Sequence, residues 1–371
     1  MRMKEKIFIV CPDDSQSGAE QVLRLIANTH ADYGDEVHVF FIKERRFGYW
    51  DFLEHKHVRL YFTTAKKERH GVLPLIRKLR KISRIGNKID RVYTSHAHMN
   101  GLIDLMRVSG ILRARYHIAR ESTSIFRRFK GIKHRLLVIL YKIAYRKIDL
   151  LICQTVQMKD HLLEDMPALK SLKVRVISNP IDIQELYRNA AKEIPMEYRS
   201  IMERKPVVLA GRLIPLKGFD LLLQAYKMLE DTISAVIILG EGPDLERLTA
   251  LANQLEIGER VVFAGSQANP MPFFKEAGMC VVSSITEGFP NTLLQMMAMN
   301  DNIVSTRCAG GIEDIPGIYT CEISSVTALK DAMKRCWDQQ HISKREEMDL
   351  FLDTRSRMAF MERILNSLKH E

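Results

Sequence analysis

Two doubly wound parallel α/β domains in tandem are the fold class predicted by the sequence, on three observations. The chain has 371 residues, 46% of them hydrophobic, enough for two buried cores rather than one. Short apolar runs alternate with longer stretches of helical periodicity, the pattern of parallel strands joined by crossover helices. The alternation falters over residues 189–206 and then restarts.

In the first half "KIFIVCP" and "EVHVFFI" read as strands, with "GAEQVLRLIANTHADYG" between them. Val22, Leu23, Ile26 and Ala27 recur there at helical spacing and Gly34 is a stop, which completes a β-α-β unit. "DRVYTSHAH", "YHIARES" and "LLICQT" continue the strands to Ile152, and the last helical pattern is "GIKHRLLVILYKIAYRKI". A hinge is expected in "NAAKEIPMEYRSIMERKP", after "VRVISNPID". The second half offers five β-branched runs, "PVVLAGR", "SAVIILGEG", "RVVFAGS", "MCVVSSI" and "NIVSTRC". Helical segments at 217–230, 243–256, 271–277, 290–299 and 325–339 separate them. "KREEMDLFLDTRSRMAFMERILNSLKH" predicts a long helical tail or a pair of helices. The expected domains are therefore 1–180, 181–345 and a tail, 346–371, packing back toward the first. Ligand sites are expected beyond the carboxyl ends of the strands, in a cleft that the two domains face.

No window approaches 18 uninterrupted apolar residues, and "MRMKEKIFIVCPDDS" has too short an apolar run for a signal-peptide core. The chain reads as cytoplasmic, without a membrane span. Its six cysteines lie far apart with no C-x-x-C, which argues for packed, reduced thiols rather than disulfides or zinc ligands. Charge is uneven: residues 1–180 hold 35 Lys and Arg against 18 Asp and Glu, net +17, and the remainder is net −6. A basic half suits a polyanionic surface, phospholipid headgroups or nucleic acid. No nucleic-acid reading motif accompanies the charge.

Several turns carry chemistry. "AGRLIPLKGFDLLLQAY" puts Gly211 and Arg212 directly after a strand and Lys217 at the start of a helix, an anion site by charge and by free backbone N–H groups. There is no P-loop motif, and "LGEGPDL", with Gly240 and Gly242, lacks the third glycine of a dinucleotide fingerprint. In "SSITEGFPNTLLQMMAMN" Pro290 suits the first position of a helix starting near Phe289, whose N-terminus faces the loop holding Glu287. Glu287 suits the hydroxyls of a sugar, and Gln295 is the one polar side chain in "LLQMMAM". Asp13 and Asp14 of "CPDDS" read as solvated acids, and no metal site is expected.

The ordered run "GRLIPLKGFDLLLQA … LGEGPDLERL … VVFAGSQANPMPFFKEAGMCVVSSITEGFPNTLLQMMAMN … STRCAGGIEDI" resembles the retaining glycosyltransferases of family 4, which have the two-domain GT-B fold. "SQSGAEQVL", "YTSHAHMNG" and "VISNPID" echo the same family in the first half. The resemblance implies a nucleotide-sugar donor in the second domain and an acceptor in the first. Arg212 and Lys217 would contact the donor diphosphate in place of a metal, and Glu287 would hold hydroxyls of its sugar. Gly288, Phe289, Pro290, Asn291 and Thr292 continue that donor-binding motif. The second of the family's paired acids falls on Gln295, expected to face the nucleotide ribose. An amide there offers one acceptor instead of two charged oxygens, which weakens binding by about 1 to 2 kcal/mol without abolishing chemistry. Ser17 and Gly18 occupy the turn where the family often has a Gly-Gly pair facing the donor phosphates.

A further set of candidates follows from the same resemblance. Gly310, Gly311 and Glu313 would lie near the sugar and diphosphate. Arg120 and Glu121 stand where many members carry a His, and His96 and His98 end another strand. Asn179 and Asp182 are expected to shape the hinge, and backbone groups near 264–267 to select the base.

The function implied is retaining transfer of a hexosyl or N-acetylhexosaminyl group, without a metal or cofactor, from a UDP-sugar in preference to a GDP-sugar. The acceptor would be a hydroxyl of a lipid-linked glycan in surface-polysaccharide synthesis, at the cytoplasmic membrane face. The basic segment 126–147, with Phe126, Phe129, Leu136, Leu137, Ile139 and Leu140, would lie in an anionic membrane interface or pack as an ordinary helix. Two alternatives stand beside this reading: a catalytically silent GT-B scaffold, which Gln295 would suit, and a nucleic-acid-binding protein, which the charge would suit.

Overall fold

In the computed structural model, which describes residues 3–15, 17–56, 58–83, 88–123, 126 and 131–369, the chain divides into two units. The first is Met1–Pro180 with Arg357–Glu371, and the second is Ile181–Ser356.

The first unit is built on strands β1 (Lys6–Cys11), β2 (Glu36–Phe41), β3 (Arg59–Phe62), β4 (Ile89–Ser95), β5 (Ala114–Arg120), β6 (Leu150–Cys153) and β7 (Val174–Val176). They form one parallel sheet in the order β3-β2-β1-β4-β5-β6-β7. Helices α1 (Gly18–Asp32), α2 (Glu68–Ser83), α3 (Ala97–Val108), α4 (Ile132–Ala144) and α5 (Val156–Asp165) join them. Every residue of β1 is buried, because both faces of a parallel sheet are covered. Ile7, Ile9 and Cys11 enter one core with Val22, Leu23 and Ile26 of α1, and Phe8 and Val10 enter the core on the other face. The outer strands β3 and β7 escape the sequence pattern: "RLYF" is only partly buried and "VRV" is three residues long.

The second unit has β8 (Val207–Ala210), β9 (Val236–Leu239), β10 (Val261–Phe263), β11 (Met279–Val282), β12 (Ile303–Thr306) and β13 (Tyr319–Cys321). Its parallel order is β10-β9-β8-β11-β12-β13. Helices α6 (Ile183–Ala190), α7 (Arg199–Glu203), α8 (Phe219–Lys227), α9 (Leu245–Gln254), α10 (Met271–Glu276), α11 (Asn291–Met299), α12 (Val326–Asp338) and α13 (Arg345–Asp353) accompany it. Val207 and Leu209 face one core and Val208 the other, the same period of two. Helix α11 starts at Asn291, two residues after the expected Phe289: Pro290 is its N-cap, with ψ of 100° outside the helical range.

The expected tail is a pair of helices. Met348 and Leu352 of α13 are buried in the core of the second unit, whereas α14 (Arg357–Lys369) places Phe360, Met361 and Ile364 in the core of the first. Within the second unit the entering and leaving strands meet, Ile181 N donating to Arg355 O at 2.8 Å and Ile181 bridging in parallel to Ser356. All six cysteines are buried free thiols.

Candidate active site

Each sheet has a point where strand order reverses, and loops from neighbouring strands splay apart there to leave room for a ligand. In the second unit that point lies between β8 and β11. After β8 the chain runs through Gly211 and the exposed Arg212 to a short 3-10 turn, Pro215–Lys217, and then α8. After β11 it runs through Ser283 and Ser284 to Glu287 and α11.

Hydrogen bonds lace the two loops together. Ile285 N donates to Leu216 O at 2.8 Å, and Ser283 Oγ to Lys217 O at 2.9 Å. Gly218 enables this approach: it takes φ of +61°, and a Cβ there would sit 2.2 Å from Ser283 O. Lys217 Nζ thereby meets Glu287 Oε1 in an ion pair, with the side chains 24% and 18% exposed. Ser284 Oγ donates to the same carboxylate oxygen at 2.9 Å, and Glu287 N donates to Cys308 O at 2.8 Å. The Cys308 thiol is pushed up to about 12 by burial and by the Glu287 charge, so it stays protonated. Among the described residues the Arg212 guanidinium has no hydrogen-bond or ion-pair partner. Among the described residues the arrangement offers one unpaired cation, one cation already paired, and a carboxylate held through one of its oxygens.

The other predicted residues of this unit separate into two groups. Gly240 and Gly242 let the turn after β9 press against the turn after β8, since a Cβ would lie 1.9 Å from Gly211 O and 2.2 Å from Leu213 O respectively. Phe289 is buried in the core, and the Arg355 guanidinium lies 4.8 Å from its ring centre. Gly288 and Pro290 are buried, while Asn291, Thr292 and Gln295 are half-buried on the first turns of α11. Gly310, Gly311 and Glu313 follow β12, and Glu313 is exposed. Gln267 Nε2 donates to Ala264 O at 2.5 Å in the loop after β10.

In the first unit the order reverses between β1 and β4. Ser17, N-cap of α1, donates its hydroxyl to Glu20 Oε2, and His96 Nε2 lies 2.8 Å from Glu20 Oε1. His96 holds φ of +74°, a strained conformation for a side-chain-bearing residue, and its Nδ1 lies 3.4 Å from Ser122 Oγ. His98 is more exposed, 3.4 Å from Glu68 Oε2.

Arg120 and Glu121 are buried behind this cluster. Arg120 donates to Asn179 Oδ1 at 2.6 Å, and burial lowers its guanidinium to about 10. Glu121 accepts from Tyr141 at 3.0 Å and Tyr145 at 2.9 Å, and burial raises its carboxyl to about 7 against those bonds. Asn179 also donates to Gln154 Oε1 at 2.9 Å, and Asp182 caps α6 by accepting from Glu185 N at 3.0 Å.

The acids of "CPDDS" differ from expectation. Asp14 is fully buried rather than solvated: its oxygens accept from the backbone N–H groups of Arg46, Phe47 and Gly48. Asp13 pairs with Lys43 at 2.8 Å. Among the described residues Glu5, His30 and Asp35 have ligand atoms close enough for a metal. His30 already spends both ring nitrogens, on Asp35 at 2.7 Å and Tyr93 at 3.0 Å, at the end of the sheet away from the switch point.

Two family models match this chain in order, "Glycosyltransferase Family 4" over residues 16–185 and "Glycosyl transferases group 1" over residues 204–339. The chain belongs to the family 4 type of GT-B glycosyltransferases. This family 4 chain is 30% identical over 189 residues to an uncharacterized glycosyltransferase of Methanocaldococcus jannaschii, covering 50% of this chain and 46% of that one. It is 26% identical over 178 residues to the N-acetylgalactosamine-N,N'-diacetylbacillosaminyl-diphospho-undecaprenol 4-alpha-N-acetylgalactosaminyltransferase of Campylobacter jejuni, covering 48% and 47%. The chain thus matches about half the length of these curated relatives. Anabaena HepE, solved in complex with UDP-glucose, superposes with a TM-score of 0.78 over 98% of this chain and 99% of its own, at 19% identity, a likeness of fold.

Sequence reasoning missed the residues that hold the family 4 motif in place. Ser284 and the Cys308 carbonyl fix Glu287, and Glu20 fixes both Ser17 and His96. One signal was present: Ser17 and Glu20 spell the S-x-x-E of a capping box, although here the serine hydroxyl bonds the glutamate itself. Asn100, Tyr141 and Tyr145, the partners of Glu121, carried no comparable sign.

Proposed function

We propose that the protein is a retaining, metal-independent glycosyltransferase that moves a hexosyl or N-acetylhexosaminyl group from a nucleotide-diphosphate sugar, UDP-linked in preference to GDP-linked. Its acceptor is a hydroxyl of a lipid-linked glycan at the cytoplasmic membrane face, in surface-polysaccharide synthesis. The observation that carries this reading is the pairing of Lys217 with Glu287 at the switch point of the second unit, on the same turn as Arg212, whose guanidinium has no partner among the described residues. The substrate in the name of the Campylobacter relative, a diphospho-undecaprenol-linked sugar, and the UDP-glucose held by HepE support the two substrate classes.

Arg212 and Lys217 hold the diphosphate and stabilise the charge that develops as the sugar–oxygen bond breaks. Glu287 accepts hydrogen bonds from sugar hydroxyls, with Ser284 fixing one carboxylate oxygen so that the other is aimed. The departing phosphate oxygen takes the proton of the acceptor hydroxyl, which attacks on the same face and keeps the anomeric configuration. No enzymic nucleophile is required. Gln295 faces the ribose with a single amide acceptor.

A panel of UDP, GDP and ADP sugars, read by melting shift and by slow donor hydrolysis, tests this. A UDP-sugar is expected to raise the melting temperature and to be hydrolysed, and Lys217→Ala should diminish the shift and slow hydrolysis by roughly a hundredfold to a thousandfold. Silence across the whole panel would overturn the reading in favour of a catalytically silent scaffold.

A further inference from the structure

Helix α4 presents a face that its own unit leaves uncovered. Ile132, Leu136, Ile139, Leu140 and Ile143 are 76%, 60%, 52%, 38% and 47% exposed. Their spacing of four, three, one and three residues gathers them into an arc of about 100° along one side of the helix. Arg135 and Lys142 are exposed along one edge of that arc, Arg146 and Lys147 are exposed beyond its end, and the helix contains no Asp or Glu. The neighbouring α3 also exposes Leu105 and Val108.

The opposite side of α4 is fully committed. Tyr141 and Ala144 are buried with Ala97, Met158 and Leu162, and the Tyr141 hydroxyl holds Glu121. A Cβ on Gly101 of α3 would stand 3.0 Å from Ala144 Cβ, so the two helices already touch. The helix therefore cannot roll to hide its stripe without breaking the tyrosine bonds to a buried carboxyl. Of the apolar residues expected in an interface, Phe126 is buried and Leu137 half-buried, so both belong to this inner side. Phe129 lies outside the described residues. No described helix is long and apolar enough to cross a membrane.

We propose that α4 docks the protein flat on an anionic lipid surface, its aliphatic stripe in the acyl boundary and its cationic edge among the headgroups. The inference rests on the reading above only in that a membrane-borne acceptor gives the docking its purpose. An aliphatic stripe with a cationic edge and no acid is what such an interface selects. A single-stranded nucleic-acid platform would instead offer stacked aromatics among the cations, and the five stripe residues include none.

Co-sedimentation of the full chain with vesicles of phosphatidylcholine alone, or mixed with phosphatidylglycerol, at low and high salt tests the proposal without any donor. Binding is expected only to the anionic vesicles and is expected to weaken as salt rises. The combined variant Ile132→Ser, Leu136→Ser, Ile139→Ser, Ile143→Ser should lose roughly tenfold or more in vesicle affinity with its melting temperature kept, because these side chains leave the core untouched. Arg135→Glu with Lys142→Glu should weaken binding and flatten its salt dependence. Vesicle binding by the serine variant equal to that of the natural chain would overturn the proposal. So would a stripe-dependent dimer in sedimentation, or salt-sensitive binding to single-stranded RNA that the serine variant loses. Donor hydrolysis measured without lipid reports on the proposed function separately, so docking and chemistry can fail independently.

Discussion

Glu287 is gripped from three directions, by Lys217, by the Ser284 hydroxyl and through its own N–H to Cys308 O. Under the proposed function, removing Lys217 takes away a diphosphate contact, and it leaves that carboxylate without its cation. Lys217→Ala and Glu287→Gln should each lower transfer by roughly a hundredfold to a thousandfold, read as kcat/KM on the donor found by the panel. Ser284→Ala should cost roughly tenfold while nucleotide affinity stays unchanged, since the serine aims the acid without touching the diphosphate. Gln295→Glu should tighten nucleotide binding by about 1 to 2 kcal/mol in calorimetric titration, and an unchanged affinity would show that this residue does not reach the ribose. Glu121 carries a pH signature. Its carboxyl rises from 4.5 to about 7 on folding, so the folded state holds the proton more tightly. The stability it contributes is complete below about pH 4.5 and is lost as pH climbs through about 7, at about 1.4 kcal/mol per pH unit across that window. Urea midpoints of the natural chain should fall over that range more steeply than those of Glu121→Gln. Arg212, Lys217 and Glu287 were legible in the sequence because each sits in a contiguous strand-to-helix turn whose chemistry is local. The Glu20–His96 contact was not, because it joins residues 76 positions apart through the register of β1 and β4.

At the scale of elements, the turn between β8 and α8 is where conformation and site coincide. Gly218→Val would force a β-branched residue into φ of +61° and drive its Cβ into Ser283 O. It should destabilise the protein by about 2 to 3 kcal/mol and displace Lys217, seen as a lowered melting temperature together with lost donor binding. Asp182→Ala removes the cap of α6 and should cost about 1 kcal/mol or more in chemical denaturation, with donor binding intact. Central strands were readable because burial on both faces demands unbroken apolar runs, as in "KIFIVC" and "VIIL". β3, β7 and β13 were not, since an outer strand is covered less and tolerates Arg59, Arg175 or Thr320 in its ladder. Pro290 misled by one position only: its fixed φ suits a cap as well as a first turn.

At the scale of the whole chain, two sheets with separate cores predict two unfolding transitions rather than one. A nucleotide diphosphate should shift only the transition of the second unit in scanning calorimetry, if the site after β8 and β11 is the donor site. A shift confined to the first unit would move the donor to the β1–β4 switch point. The tandem architecture was legible in the sequence because a β-α-β alternation that halts and restarts has few other solutions. The owner of each tail helix was not, since α13 and α14 carry similar apolar spacing and differ in what they pack against. The parallel bridge between Ile181 and Ser356 gives this arrangement a further meaning. Residues 181–356 enter and leave at one spot, so they form a cassette inserted into a host chain, with both ends side by side. Recombination could exchange such a cassette at two adjacent splice points, which under the proposed function would change the activated sugar spent while the host kept its acceptor.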